Sequence, residues 1–174
     1  GNNTKYVVES FSKFNFENVD AVLSVSPCYN KPSQLGIIKH YTEIANNSPK
    51  PIILYNVPGR TASNIEYETT INLSKHDNII AIKEASGNIN QIKEVINNVD
   101  KDFFVISGDD ALTIDIIKNG GAGVISVAAQ AIPKYFKNDI LKNNSDSRLN
   151  PFFDFIFKEG NPSGIKIALE HLNI

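Results

Sequence analysis

The stretches that decide the predicted fold are IILYNVPGRT, residues 52–61, and IIAIKEASG, residues 79–87. Each begins with a run of Ile, Leu or Ala and then turns polar, which is typical of a short buried strand that leads into a loop. Further apolar runs of this length lie at 21–26, 103–107 and 123–127. Strands that are apolar on both faces are typical of a parallel sheet with helices packed on each side.

Amphipathic stretches separate the five predicted strands, which are placed at 21–26, 52–56, 79–83, 103–107 and 123–127. Successive strands start 31, 27, 24 and 20 residues apart, which indicates a repeated strand–helix unit. Such a repeat fits an open doubly wound sheet or part of a (β/α)8 barrel. The first strand is not followed by the Gly-x-Gly-x-x-Gly turn of dinucleotide-binding sheets, which weakens the first alternative.

Sequence patterns that are typical of helices predict several of them. The pattern Ser63-x-x-Glu66 has the spacing of a capping box and predicts a helix that starts there. Helices are also predicted at 133–143, 152–158 and 165–172, with a polar loop at 143–150. The last quarter of the sequence is therefore predicted to be helical.

The composition is that of a globular protein and excludes several functional classes. Of 174 residues, 41% are hydrophobic and 21% are charged, and the net charge of −2 lacks the basic surplus of nucleic-acid-binding domains. No apolar run approaches the ~20 residues that span a bilayer, so no membrane partner is expected. Because the one cysteine, Cys28, has no internal disulfide partner and the three histidines lack ligand spacing, we predict a cytoplasmic protein without a metal site.

Lys83 and Tyr55 lie at the carboxyl ends of predicted strands, and alternation along the strands turns both side chains to one face. In a barrel, functional residues gather at this carboxyl end of the strands. A partly desolvated lysine amine is a nucleophile for carbonyl carbon, a phenol can move protons, and an arginine such as Arg60 can hold a carboxylate. Together they indicate Schiff-base chemistry on a keto acid, although each residue alone also fits a purely structural role.

Five segments in matching order and spacing make the chain similar to the dihydrodipicolinate synthase family of pyruvate-dependent class I aldolases. They are SPCYNKPSQ at 26–34, YNVPGRT at 55–61, IKEASG at 82–87, SGDD at 107–110 and GVISV at 123–127. The resemblance implies a (β/α)8 TIM barrel of which this chain covers about strands 4–8. Residues 1–127 are then the C-terminal part of the barrel, and residues 128–174 are its final helix and the start of a C-terminal helical region.

The resemblance also implies the reaction and its catalytic residues. Lys83 matches the lysine that forms a Schiff base with pyruvate, and Tyr55 matches the tyrosine that passes protons. Tyr29 matches a second tyrosine of this relay, which crosses a dimer interface of a homotetramer to reach a neighbouring site. The implied reaction condenses pyruvate with L-aspartate 4-semialdehyde to 4-hydroxy-tetrahydrodipicolinate, in the diaminopimelate route to lysine, with no cofactor.

Three further positions match substrate contacts of that family. Arg60 matches an arginine at the pocket mouth that meets the carboxylate of the semialdehyde, and Gly108 and Ile125 match backbone positions near pyruvate. The family's Gly-Thr-Thr-Gly-Glu segment precedes the part matched by Gly1, so we expect this chain to be part of a longer protein. Cys28 replaces a tyrosine of the lysine-feedback site in regulated members, so the sequence does not predict whether lysine inhibits.

Two other functions remain open. Another lyase of the same family, such as N-acetylneuraminate lyase or a keto-deoxy-sugar aldolase, shares the lysine and the tyrosine and differs near the second substrate. A non-catalytic protein that binds or senses keto acids is the alternative from a different class. Turnover with the semialdehyde or with sialic acid separates the synthase from the other lyase. The intact mass separates the enzyme from the non-catalytic protein, since a full barrel's mass supports the enzyme and a mass near 19.2 kDa supports the other.

Three acidic residues near these motifs have structural interpretations. Asp109 and Asp110 could form a paired-acid or metal site, but their position before a predicted helix favours a cap. Glu84 follows Lys83 and is expected on the opposite face of its strand, where we predict a salt bridge to the helical layer.

Overall fold

The computed structural model describes residues 1–141 and 147–174, which divide into two compact units, 1–106 and 107–174. In the first unit, helices and strands alternate. They are α1 (Thr4–Ser10), β1 (Val22–Val25), α2 (Gln34–Asn47), β2 (Ile52–Asn56), α3 (Pro58–Thr61), α4 (Tyr67–Leu73), β3 (Ile79–Glu84), α5 (Ile89–Asn98) and β4 (Phe104–Ser107), with a 3-10 turn at Phe11–Lys13. The last residue of β4 begins the second unit.

The strands of the first unit lie side by side in chain order, β1-β2-β3-β4. β2 is parallel to β1 and to β3, with Val25 opposite Tyr55 and Tyr55 opposite Lys83. A register shift between Ile52 and Ile53 lies at the other end of β2 and does not disturb these pairs. The carboxyl ends of three strands are therefore level, which brings their last side chains together.

Helices cover one face of this sheet and form the core of the first unit. Ile52 and Leu54 of β2 and Ile82 of β3 have no solvent exposure. Tyr41 of α2 is also fully buried, and its hydroxyl donates a hydrogen bond to the Ser24 carbonyl of β1 at 2.9 Å. Full burial of each large apolar side chain stabilises the fold by about 1.5–3 kcal/mol. Ile53 and Tyr55 of β2 lie on the opposite face and are only partly buried.

The second unit is mainly helical. It contains α6 (Thr113–Lys118), β5 (Gly123–Val124), α7 (Pro133–Leu141), α8 (Asn150–Lys158) and α9 (Ser163–His171), with 3-10 turns at Ala128–Gln130 and Ser147–Leu149. The rings of Phe136 and Phe153 pack edge to face in its core, 5.8 Å apart. Gly164 lets α9 approach α8 closely, because a Cβ there would collide with the Ile156 backbone.

The strands differ from their predicted bounds mainly at the ends. β2 has its predicted bounds, whereas β3 extends one residue beyond Lys83, because Glu84 also pairs with Asn56 of β2. The fifth strand was predicted over 123–127 and has only two residues, and residues 125–127 lead from it to the 3-10 turn that begins at Ala128.

The capping box predicted for Ser63 and Glu66 is wrong. α4 begins at Tyr67, with Glu66 as its N-cap and no hydrogen bond from a capping side chain. The Ser63 hydroxyl lies instead 3.3 Å from the buried hydroxyl of Ser26. Of the predicted helix at 133–143 and the loop at 143–150, residues 142–146 lie outside the described residues.

The helices within the described ranges are too short or too polar to cross a bilayer, and the longest of them, α2, has 14 residues.

Candidate active site

Lys83 and Tyr55 meet at the carboxyl ends of β3 and β2. They are direct partners in the strand register, and the Nζ atom of Lys83 lies 4.3 Å from the centre of the Tyr55 ring. Both side chains are partly buried. The structure therefore brings together the amine and the phenol that the sequence placed on one face, with the ring forming a wall beside the amine.

The phenol of Tyr55 is held in its protonated form. Partial burial raises the pKa of the Tyr55 hydroxyl, and the positive guanidinium of Arg60 opposes part of this rise. A phenol protonated at neutral pH can donate a proton and accept one in return, which suits a relay.

A short rigid turn presents Arg60 on the exposed side of the site. The N–H groups of Arg60 and Thr61 both donate to the Val57 carbonyl, at 2.9 and 3.1 Å. The buried Thr61 hydroxyl donates to the Ser63 carbonyl at 2.9 Å and accepts from the Ser63 N–H at 3.1 Å. Ala62 closes the turn in the left-handed region, at φ 56°. These bonds fix the backbone from which the arginine projects.

Tyr29 adopts a conformation that is unfavourable for a residue with a side chain. Its φ is 73°, its N–H donates to the Thr61 carbonyl at 3.1 Å, and its side chain is 88% exposed. A left-handed tyrosine costs of order 1–3 kcal/mol, and such strain is typical of functional positions. The bond to Thr61 ties the Tyr29 loop to the turn that presents Arg60.

Gly108 and Ile125 lie in the second unit. Gly108 follows the end of β4, and the Ile125 N–H donates to the carbonyl of Ser107, the last residue of that strand, at 2.9 Å. The two positions predicted near pyruvate are thus joined through one residue of β4. Ile125 is 42% exposed, although its neighbours are partly buried, so this segment is open on one side.

Asp109 and Asp110 accept backbone hydrogen bonds, but the predicted helix cap is wrong, because the N-cap of α6 is Leu112 and no described side chain caps that helix. Asp109 Oδ1 accepts from the N–H groups of Ala111 and Leu112, at 3.0 and 3.3 Å. Asp110 Oδ2 accepts from the Ala128 N–H at 2.8 Å, which ties the loop after β4 to the loop after β5. Within the described residues, no group of three or more His, Cys, Asp or Glu side chains is arranged to hold a metal ion.

Sequence reasoning missed the partners of Glu84. A salt bridge was predicted, but the carboxylate accepts hydrogen bonds from uncharged groups, which include Asn56 Nδ2, Gln91 Nε2 and the N–H of Ser86. Burial raises the pKa of this carboxyl group, and these hydrogen bonds oppose the rise. The one signal in the sequence was a pair of polar residues, Asn56 and Glu84, at the same level on the covered face of adjacent strands.

Comparison with known proteins gives a consistent match. The whole chain, residues 1–174, matches the family described as the dihydrodipicolinate synthetase family. A 4-hydroxy-tetrahydrodipicolinate synthase from Flavobacterium psychrophilum is 47% identical over 184 residues, which cover 100% of this chain and 63% of that protein. The chain therefore spans less than two thirds of that relative's length.

Solved structures agree with this match. Dihydrodipicolinate synthase from Aquifex aeolicus superposes with a TM-score of 0.92 at 34% identity, over 99% of this chain and 62% of that one. The Acinetobacter baumannii enzyme, solved in complex with pyruvate, gives a TM-score of 0.89 at 32% identity, over 99% and 62% of the two chains. The predicted fold class, a parallel α/β sheet of the TIM-barrel type, is confirmed. The assignment of these strands as the fourth to the eighth remains a prediction.

Proposed function

The chain belongs to the dihydrodipicolinate synthetase family, and from that premise we propose that the whole protein condenses pyruvate with L-aspartate 4-semialdehyde. The product is 4-hydroxy-tetrahydrodipicolinate, with release of one water molecule. The observation that carries the proposal is the position of the Lys83 amine against the ring of Tyr55, at the carboxyl ends of two parallel strands. This is the end of a barrel at which active sites lie.

Lys83 is the nucleophile of the proposed mechanism. Its unprotonated amine attacks the ketone carbon of pyruvate, and loss of water leaves a cationic imine. The imine withdraws electrons, so the pyruvate methyl group loses a proton to give an enamine. The enamine carbon then forms a bond to the aldehyde carbon of the second substrate. The amino group of that substrate attacks the imine carbon, closes the ring and releases Lys83.

Tyr55 carries protons in this scheme, because burial raises the pKa of its hydroxyl and its ring lies beside the amine. Tyr29 is the second member of the relay. Its exposed side chain and strained backbone support a role outside its own subunit, across the dimer interface of a homotetramer. The relay is then complete only in the assembled protein.

Arg60 orients the second substrate through its carboxylate, which a planar guanidinium can bind with two parallel hydrogen bonds. Its position on an exposed turn near Tyr55 supports this role. Gly108 and Ile125 are the proposed backbone contacts of pyruvate, on either side of the carboxyl end of β4. The scheme uses no metal or organic cofactor. We expect the protein to be located in the cytoplasm. We also expect residues 1–127 to belong to the barrel and residues 128–174 to form its final helix and the start of a helical region.

Trapping with borohydride tests the proposal. Incubation of the intact protein with pyruvate and borohydride should add a reduced pyruvate adduct to Lys83, located by peptide mass. Turnover with semialdehyde then distinguishes the proposed synthase from N-acetylneuraminate lyase or a keto-deoxy-sugar aldolase, which use other substrates. If the protein binds pyruvate but forms no adduct, the proposed enzymatic function is wrong, and a protein that only binds keto acids remains.

A further inference from the structure

Glu84 is fully buried, yet the proposed chemistry uses only its neighbour Lys83. In the strand register Glu84 lies opposite Asn56, as Lys83 lies opposite Tyr55. The two pairs are consecutive and face opposite sides of the sheet. A carboxylate without solvent contact is tolerated only where donors replace the lost water, so its partners decide how firmly it is held.

The Glu84 carboxylate is surrounded by hydrogen-bond donors. Asn56 Nδ2 lies 3.1 Å from Oε1 and 3.2 Å from Oε2. The Ser86 N–H donates to Oε1 at 2.8 Å, and Gln91 Nε2 donates to Oε2 at 3.3 Å. Three donors from β2, from the loop after β3 and from α5 therefore converge on one side chain.

A second set of bonds extends this cluster away from Glu84. The Oδ1 atom of Asn56 accepts from the Ile65 N–H at 2.9 Å, and its Nδ2 lies 2.9 Å from Asn64 Oδ1. Asn64 in turn donates to Gln91 Oε1 at 2.8 Å. The segment before α4 and the start of α5 are thus fastened to the same strand ends, and we call these four side chains (Asn56, Asn64, Glu84 and Gln91) the amide clamp.

We propose that Glu84 is a positioning residue for Lys83, acting through the amide clamp, an inference that rests on the proposed function. Consecutive residues of a strand share one backbone, so a fixed Asn56–Glu84 pair fixes the Tyr55–Lys83 pair on the other face. The Ala85 N–H, which donates to the Asn56 carbonyl at 2.8 Å, continues the ladder past both pairs. Displacement of a reacting group by about 1 Å can lower a rate about a hundredfold, so this constraint matters for imine formation.

The test replaces the carboxylate with its isosteric amide. In the Glu84→Gln variant of the intact protein, an NH2 group faces donors that previously met an oxygen. The rate of imine formation with pyruvate, followed by borohydride trapping and corrected for the folded fraction, should fall about tenfold to a hundredfold. The pyruvate concentration that gives half of the maximal rate should change by less than about threefold, because no group that contacts pyruvate is removed.

Asn78→Ala is the matched control. Asn78 lies just before the opposite end of β3 and donates to the Ala45 carbonyl at 2.8 Å. Its loss should lower stability without slowing imine formation in the folded protein. The double variant Asn56→Asp with Glu84→Gln exchanges donor and acceptor across the pair, and it should recover part of the rate. If Glu84→Gln does not fold, Gln91→Ala replaces it in the test. This variant removes one donor to Glu84 and the acceptor of Asn64 but keeps the carboxylate, so the rate should decrease less.

The outcomes separate this inference from the proposed function. If the unmodified protein forms no adduct at Lys83, the proposed function is wrong and the positioning role falls with it. If it forms the adduct and the folded Glu84→Gln or Gln91→Ala variants react at the same rate, the positioning role alone is wrong. An equal decrease in the Asn78→Ala control also contradicts it, because a general loss of stability then explains the rate.

Discussion

The Nζ atom of Lys83 lies over the face of the Tyr55 ring, and the pair is also matched in strand register. Two properties of one residue therefore act on the amine. The ring shields one side of it from water, and the hydroxyl offers a proton. Substitutions that keep the ring and remove the hydroxyl can separate the two.

Tyr55→Phe should lower kcat about a hundredfold to ten-thousandfold, the usual contribution of a positioned proton carrier. The ring remains, so the trapped adduct at Lys83 should still form, but more slowly. Tyr55→Leu removes the ring as well and should reduce adduct formation further. Trapping time courses and steady-state turnover measure both. Equal adduct rates in the two variants would show that the ring does not organise the amine.

Strand periodicity was sufficient to place Tyr55 and Lys83 together, because neighbouring parallel strands end at the same edge and side chains alternate. The amide clamp was not predictable in this way. Its members Asn64 and Gln91 come from a loop and a helix, whose positions are set by packing over long sequence distances. The capping box failed for the same reason, since Ser63 meets Ser26 from a distant loop.

Arg60→Lys should raise the KM for the semialdehyde about tenfold, while pyruvate trapping at Lys83 stays unchanged. A lysine keeps the positive charge but cannot form the paired hydrogen bonds of a guanidinium with a carboxylate. Steady-state kinetics with each substrate varied in turn provide the measurement. A change confined to the KM for pyruvate would indicate that Arg60 binds pyruvate, which would contradict the assigned role.

Stability should fall at acid pH because of His40. Burial lowers the pKa of the His40 imidazole to about 4 from 6.5. Its Nδ1 lies 2.8 Å from the Thr4 hydroxyl, and its Nε2 is buried without a partner in the described part of the chain. The unfolded chain therefore takes up the proton first as the pH falls, so stability is complete above about pH 6.5 and is lost towards pH 4.

The loss should be at most about 3.5 kcal/mol, because the pKa falls from 6.5 to about 4 and each pKa unit corresponds to about 1.4 kcal/mol. Urea unfolding at a series of pH values between 7.5 and 4 measures it. His40→Gln should have lower stability at neutral pH and a flatter pH dependence, whereas His171→Gln, at an exposed helix end, should keep the original slope. A slope that is unchanged in His40→Gln would assign the acid sensitivity to other groups.

Gly164→Ala should destabilise the second unit by about 1–3 kcal/mol, the usual effect of adding a methyl group to a tightly packed contact. The added Cβ would collide with the Ile156 backbone, which is part of a helix and cannot move alone. Gly59→Ala is a suitable comparison, since a Cβ there meets no atom within 4 Å. Thermal unfolding of both variants tests the difference, and equal midpoints would mean that α8 and α9 can separate at little cost.

Mixed oligomers should show whether Tyr29 acts in a neighbouring subunit. Tyr29→Phe and Tyr55→Phe each remove one hydroxyl of the relay and should be nearly inactive alone. If Tyr29 crosses a two-fold interface, a mixed dimer has one site with both hydroxyls and one with neither. Random mixing then restores about a quarter of the sites, because half of the dimers are mixed and each has one intact site. Turnover after joint unfolding and refolding measures the recovery. Activity no higher than the mean of the separate variants would place Tyr29 in the site of its own subunit.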